Sequence, residues 1–105
     1  MCVNMQGMWC VAKPSANDTI LQSNIDFACS LVDCSSLREG GPCFEPDTLI
    51  SHASVAMNLY YEANGKTYLN CLFRDSGLIT VTDPSMYIRS PLTTRASTKI
   101  LCMIL

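Results

Sequence analysis

Seven cysteines among 105 residues carry most of the chemistry available to this chain: cross-linking, metal ligation or nucleophilic attack. Cys10, Cys29, Cys34, Cys43 and Cys71 fall at or beside the ends of predicted elements, where a cross-link restricts the unfolded chain most. A zinc site wants two closely spaced ligand pairs. The nearest pair, Cys29 and Cys34, has four residues between its members and no second pair follows, so neither metal nor cofactor is expected. A thiol nucleophile wants a histidine beside it. His52 is the only histidine; it could approach Cys43, but inside a predicted helix a partly exposed polar role is the expectation. Carboxylate pairs for glycoside hydrolysis could be drawn from Glu45, Asp47, Glu62, Asp75 and Asp83. Asp47 reads as a helix cap, Asp83-Pro84 as a turn, and nothing singles out an acid of raised pKa. No enzyme is expected.

Composition narrows the classes further. Apolar residues make up 49% and charged residues 15%, which argues against a chain that is disordered throughout. A formal net charge of −2 argues against a nucleic-acid partner, which would require a basic face. The longest apolar run, Ile100 to Leu105, has six residues, far below the ~18 of a membrane span. A single domain of this size has a thin core and gains from cross-links, so the cysteines favour an oxidising, extracellular setting. Met1 to Met8 shows neither the basic start nor the apolar stretch of a secretory signal; the expectation is that a signal is missing from this sequence. The C-terminal tail, charged at Arg95 and Lys99, is too short for a lipid-anchor signal.

The elements that position these residues can be read from periodicity. Ser15 to Cys29 predicts a helix with Ser15 as N-cap and Asp18 completing a capping box; Leu21, Ile25 and Ala28 form its apolar stripe. Residues 31–41 read as loop. A second helix opens at Pro46-Asp47, with Asp47 as N-cap. Leu49, Ala53, Ala56 and Tyr60 line its inner face, and Gly65 is its left-handed stop. Lys66 to Phe73 and Leu78 to Thr82 then alternate with period two, which predicts a hairpin turning at Arg74 to Gly77. The fold class is α+β: two α-helices, a small antiparallel sheet and long loops, stapled by disulfides. Residues 1–8 read as an N-terminal remnant, 9–85 as the domain and 86–105 as a loosely ordered tail.

Several motifs occur in one order: Trp9-Cys10-Val11-Ala12-Lys13-Pro14, Phe27-Ala28-Cys29, Asp33-Cys34-Ser35, Gly41-Pro42-Cys43-Phe44, His52-Ala53-Ser54, Met57-Asn58-Leu59-Tyr60-Tyr61, Cys71-Leu72-Phe73 and Thr82-Asp83-Pro84-Ser85. Together they resemble the plant X-eight domain, carbohydrate-binding module family 43, over residues 9–85. The resemblance implies a non-catalytic module that binds β-1,3-glucan, the callose of plant cell walls. Such modules are appended to endo-β-1,3-glucanases, stand alone as pollen-allergen-like proteins, or occur in lipid-anchored proteins at plasmodesmata. The implied location is therefore the cell wall or the outer face of the plasma membrane. It also implies disulfides Cys10–Cys71 and Cys29–Cys34, with Cys43 joined to a sixth cysteine soon after the Asp-Pro-Ser-Tyr motif. This chain departs there: after Met86-Tyr87 no cysteine occurs before Cys102. Cys43 is then expected to be unpaired or joined to Cys102, the tail arising from a different exon or read-through, and Cys2 has no counterpart.

A β-1,3-glucan presents apolar C–H faces and a hydroxyl rim, so its site needs exposed rings and amides or carboxylates. Phe27, Tyr60, Phe44 and Phe73 are expected in the core. Tyr61, Tyr68 and Trp9 are the candidate sugar platforms, with Asn58, Glu62 and Asn64 as candidate hydroxyl partners. Asn17-Asp18-Thr19 is an N-glycosylation sequon, usable only on the secretory route. The expected partner is the polysaccharide alone, bound by a monomer. The alternative readings are a disulfide-rich structural or interaction domain that has lost sugar affinity, and a helical lipid-transfer protein, which the absence of adjacent cysteines disfavours.

Overall fold

A computed structural model of the chain describes residues 8–80. Strand β1 (Trp9–Ala12) is followed by helix α1 (Asp18–Cys29), a 3-10 turn (Ser35–Leu37), helix α2 (Leu49–Ala63), a second 3-10 turn (Tyr68–Cys71) and strand β2 (Gly77–Thr80). The expected α+β class is observed. The motif at residues 82–85, the proposed tail and Cys102 lie outside the described residues.

Both helices start later than their sequence signals suggest. The Ala16 N–H bonds the Lys13 carbonyl at 3.0 Å, closing a turn with Pro14 in the position where proline pre-sets φ. Ser15 is used up in that turn, and the N-cap is Asn17, whose Oδ1 accepts the Ile20 N–H at 2.9 Å. In α2 the Thr48 N–H bonds the Pro46 carbonyl, which leaves Asp47 outside the helix. Thr48 is the cap instead, its hydroxyl accepting the Ser51 N–H at 3.3 Å. The C-terminus of α2 ends as expected at Gly65, with φ of 79°. The Lys66 N–H reaches back to the Tyr61 carbonyl and the Gly65 N–H to that of Glu62, a Schellman closure.

The sheet is not the expected hairpin. β2 pairs antiparallel with β1, Trp9 opposite Thr80 and Ala12 opposite Gly77, while residues 68–71 form a 3-10 turn. The Cys10–Cys71 disulfide, spanning 61 residues, draws the 3-10 turn against β1. Gly77 can follow it because it lacks a side chain; a Cβ there would overlap the Cys71 carbonyl oxygen. In the chain-entropy picture this staple stabilises the fold by about 4 kcal/mol.

Side chains of β1 alternate between two cores. Cys10 and Ala12 join Leu21, Ala53, Met57, Tyr61 and Cys71 in the larger one. Trp9 packs with Cys43 and Val55 in the smaller, flanked by Val11, Leu37 and Leu59. Cys43 is disulfide-bonded, so the expected unpaired alternative does not hold; Cys102, the other expectation, lies outside the described residues. The outward N–H groups of β1 are met by α2: Asn58 Oδ1 accepts from Cys10 at 2.9 Å and Ser54 Oγ from Ala12 at 3.0 Å.

Candidate functional site

The inner face of α2 is centred on Ala53, Met57 and Tyr61 rather than on Tyr60. Small residues at positions 53, 54 and 56 let β1 and α1 pack close to the helix. Tyr61 is fully buried, so its ring has no free face for a sugar, and burial pushes its hydroxyl pKa up. Its Oη has no hydrogen-bond partner among the described residues. Tyr60, one position round the helix, is only half-buried and turns toward α1.

There Tyr60 meets Phe27 from α1 and Phe73 from the segment after the second 3-10 turn. The three rings pack edge to face, with centroids 5.2 Å (Phe27–Tyr60), 5.7 Å (Tyr60–Phe73) and 6.2 Å (Phe27–Phe73) apart. Edge-to-face packing leaves ring faces turned away from the cluster. Phe27, expected in the core, remains 48% exposed. The cluster lines an open groove of about 330 Å³, with Leu69 beside the rings and Ser23, Asn24, Asn70 and Arg74 supplying its polar groups. Tyr60 Oη lies 3.5 Å from Asn70 Oδ1, and the Asn70 amide also donates to the Thr67 hydroxyl, so the rim is held in place before any ligand arrives.

Phe73, Arg74 and Asp75 all have left-handed backbone, with φ of 43°, 55° and 68°, at a cost of about 1–2 kcal/mol each. Ser76 holds that turn. Its N–H donates to the Leu72 and Phe73 carbonyls at 3.1 Å, and its carbonyl accepts the Lys13 N–H at 2.8 Å. Its hydroxyl donates to the Phe73 carbonyl and accepts from Asn24 Nδ2 at 2.8 Å. Lys13 Nζ also pairs with Asp75 at 2.9 Å, a hydrogen bond and charge that hold the Asp75 carboxyl below its ordinary pKa.

None of the six carbohydrate candidates from sequence is among the described lining of the groove. Trp9 is buried in the smaller core. Asn58 is buried against β1, with its amide donating to Glu62 at 3.3 Å. Asn64 caps α2, its amide bonded to the Tyr60 carbonyl at 2.8 Å. Tyr68 alone among the candidate rings is broadly exposed, beside the groove residue Leu69. His52 is placed as expected, partly buried on α2, with Nε2 2.7 Å from the Phe44 carbonyl oxygen. The groove residues Asn24, Phe27, Asn70, Phe73 and Arg74 are not among the candidates the sequence offers. Phe27 and Phe73 flank Cys29 and Cys71 at fixed offsets, the one sequence signal attached to them.

A second hollow lies across α1, beside the Cys29–Cys34 disulfide and His52, but no Phe, Tyr or Trp is among its described lining. The displaced carboxylates, Asp33 and Asp75, both move to lower pKa; for Asp33 the main cause is the Ser35 N–H donating to it. That is the wrong direction for a general acid. No group of three or more metal-ligating side chains occurs among the described residues.

Fold and groove together define a small disulfide-stapled α+β module that offers an open ring-and-amide surface. Residues 8–78 match the family model of the X8 domain, and the chain belongs to that family. It is 54% identical over 79 residues to a glucan endo-1,3-beta-glucosidase of Triticum aestivum, covering 75% of this chain and 17% of the relative. It is 47% identical over 79 residues to the major pollen allergen Ole e 10 of Olea europaea, covering 73% of this chain and 64% of the relative. With plasmodesmata callose-binding protein 2 of Arabidopsis thaliana it shares 34% identity over 86 residues, 81% of this chain and 44% of the relative. The chain thus spans well under a fifth of the wheat glucosidase it matches.

Proposed function

We propose that this chain binds β-1,3-glucan of the plant cell wall through the Phe27–Tyr60–Phe73 groove and does not cleave it. The observation that carries the reading is the groove itself: three edge-to-face rings, one of them half-exposed, beside the Asn70 amide and the exposed Ser23 hydroxyl. A glucose unit presents its C–H face to the rings and its hydroxyls to these polar groups. Tyr68 and Leu69, both exposed, add apolar surface beside the rings. The callose-binding relative supports the choice of polysaccharide, and the disulfides support action outside the cell.

Affinity electrophoresis through laminarin tests the reading. The oxidised protein should be retarded, and Phe27→Ala should weaken retention about tenfold with unchanged helical circular dichroism. Free passage of the wild-type protein would leave the structural or interaction domain as the better reading.

A further inference from the structure

We infer that Arg74 makes the groove selective for β-1,3-glucan chains that carry carboxylate substituents over the same chains unsubstituted; this rests on the glucan reading above. A neutral polymer needs only hydroxyl partners, and Ser23 and Asn70 already supply them. Arg74 is the one charged side chain among the described lining residues, and it is exposed. Among the described residues no carboxylate pairs with it. Asp75, its neighbour in sequence, is engaged by Lys13 at 2.9 Å, and Asp26 on α1 accepts from Gln22 at 3.0 Å. Among the described residues the planar fork of guanidinium donors is therefore free, and that fork matches a carboxylate with two parallel hydrogen bonds.

The backbone beneath it points the same way. Three successive non-glycine residues hold positive φ, and the Ser76 bonds to Phe73, Asn24 and Lys13 over-determine the turn. Strain retained at a ligand groove marks preorganisation for that ligand. Here its result is to set a ring, Phe73, and a cation, Arg74, side by side, so that one sugar unit can stack while its acidic substituent is gripped.

The experiment compares binding to laminarin, to carboxymethylated β-1,3-glucan of matched length, and to polygalacturonate, at low and high salt. The wild-type protein should bind the carboxymethylated glucan about tenfold more tightly than laminarin at low salt, with the preference shrinking as salt rises. Arg74→Gln should erase the preference, so that the two glucans bind alike. Arg74→Gly removes the charge and also suits the left-handed backbone, so it should match Arg74→Gln while folding at least as stably. Equal wild-type affinity for the two glucans would overturn the inference while leaving the glucan reading intact, as would a preference that persists in both variants. Tighter binding of polygalacturonate than of either glucan would overturn the glucan backbone's part in it. Failure to bind any glucan would overturn both readings.

Discussion

The side-chain oxygen of Asn58 lies 2.9 Å from the backbone nitrogen of Cys10, 48 residues away, so a helix side chain occupies the edge of β1 that a third strand would otherwise fill. Ser54, one turn earlier on α2, does the same for Ala12. Replacing Asn58 with Leu would strand a buried N–H, a loss of about 1–3 kcal/mol. Urea unfolding should show the midpoint fall, whereas Asn58→Asp, which keeps an acceptor, should lose less.

Tyr61 offers the opposite case. Its hydroxyl is buried without a partner among the described residues, so Tyr61→Phe removes an uncompensated polar group from the core. Stability should rise by about 1 kcal/mol and laminarin retention should stay unchanged; a clear drop in retention would return Tyr61 to the binding surface.

The two staples differ in the loops they close, 61 residues for Cys10–Cys71 and 5 for Cys29–Cys34. In the chain-entropy picture, paired serine substitutions should cost about 4 and about 2 kcal/mol respectively. Denaturant midpoints of the two double variants check the order.

Acid sensitivity should trace in part to Lys13–Asp75. The Asp75 carboxyl sits below its ordinary value of 3.8 through the Lys13 hydrogen bond and charge. A depressed carboxylate adds stability that is fully present above the unfolded pKa and is lost as the pH falls through the lower folded one. Lys13→Met should therefore flatten the loss of stability below about pH 4 while altering neutral stability little, as expected for an exposed pair. Thermal melts across that range would show it.

Asn17 combines a cap with the sequon. Its Oδ1 accepts the Ile20 N–H, and N-linked attachment would use the other amide atom, so a glycan is compatible with the cap. Expression through a secretory host should yield a mass increment that Asn17→Gln removes. Separately, Asn17→Ala should destabilise the unglycosylated protein by about 1 kcal/mol, and Asn17→Asp should not.

The helices were legible because apolar periodicity and Gly65 are local signals, and the disulfides came from the family resemblance. What was not legible depends on distant chain segments. Residues 66–73 alternate like a strand, yet the disulfide to Cys10 and the close approach of Gly77 to Cys71 hold residues 68–71 as a 3-10 turn. Tyr60 and Tyr61 exchanged expected roles because the polar residues Ser54 and Asn58 lie on the buried side of α2, where they serve β1. Hydrophobicity alone assigns that side to solvent. Phe27 was assigned to the core because its companions in the groove, Phe73 and Tyr60, come from other elements.

The antiparallel register sets Trp9 opposite Thr80, so the chain enters and leaves the described unit at neighbouring points, about 5 Å apart in a two-stranded ladder. A body whose two ends meet occupies almost no length of a longer polypeptide. Both attachment points therefore lie at one corner of the unit.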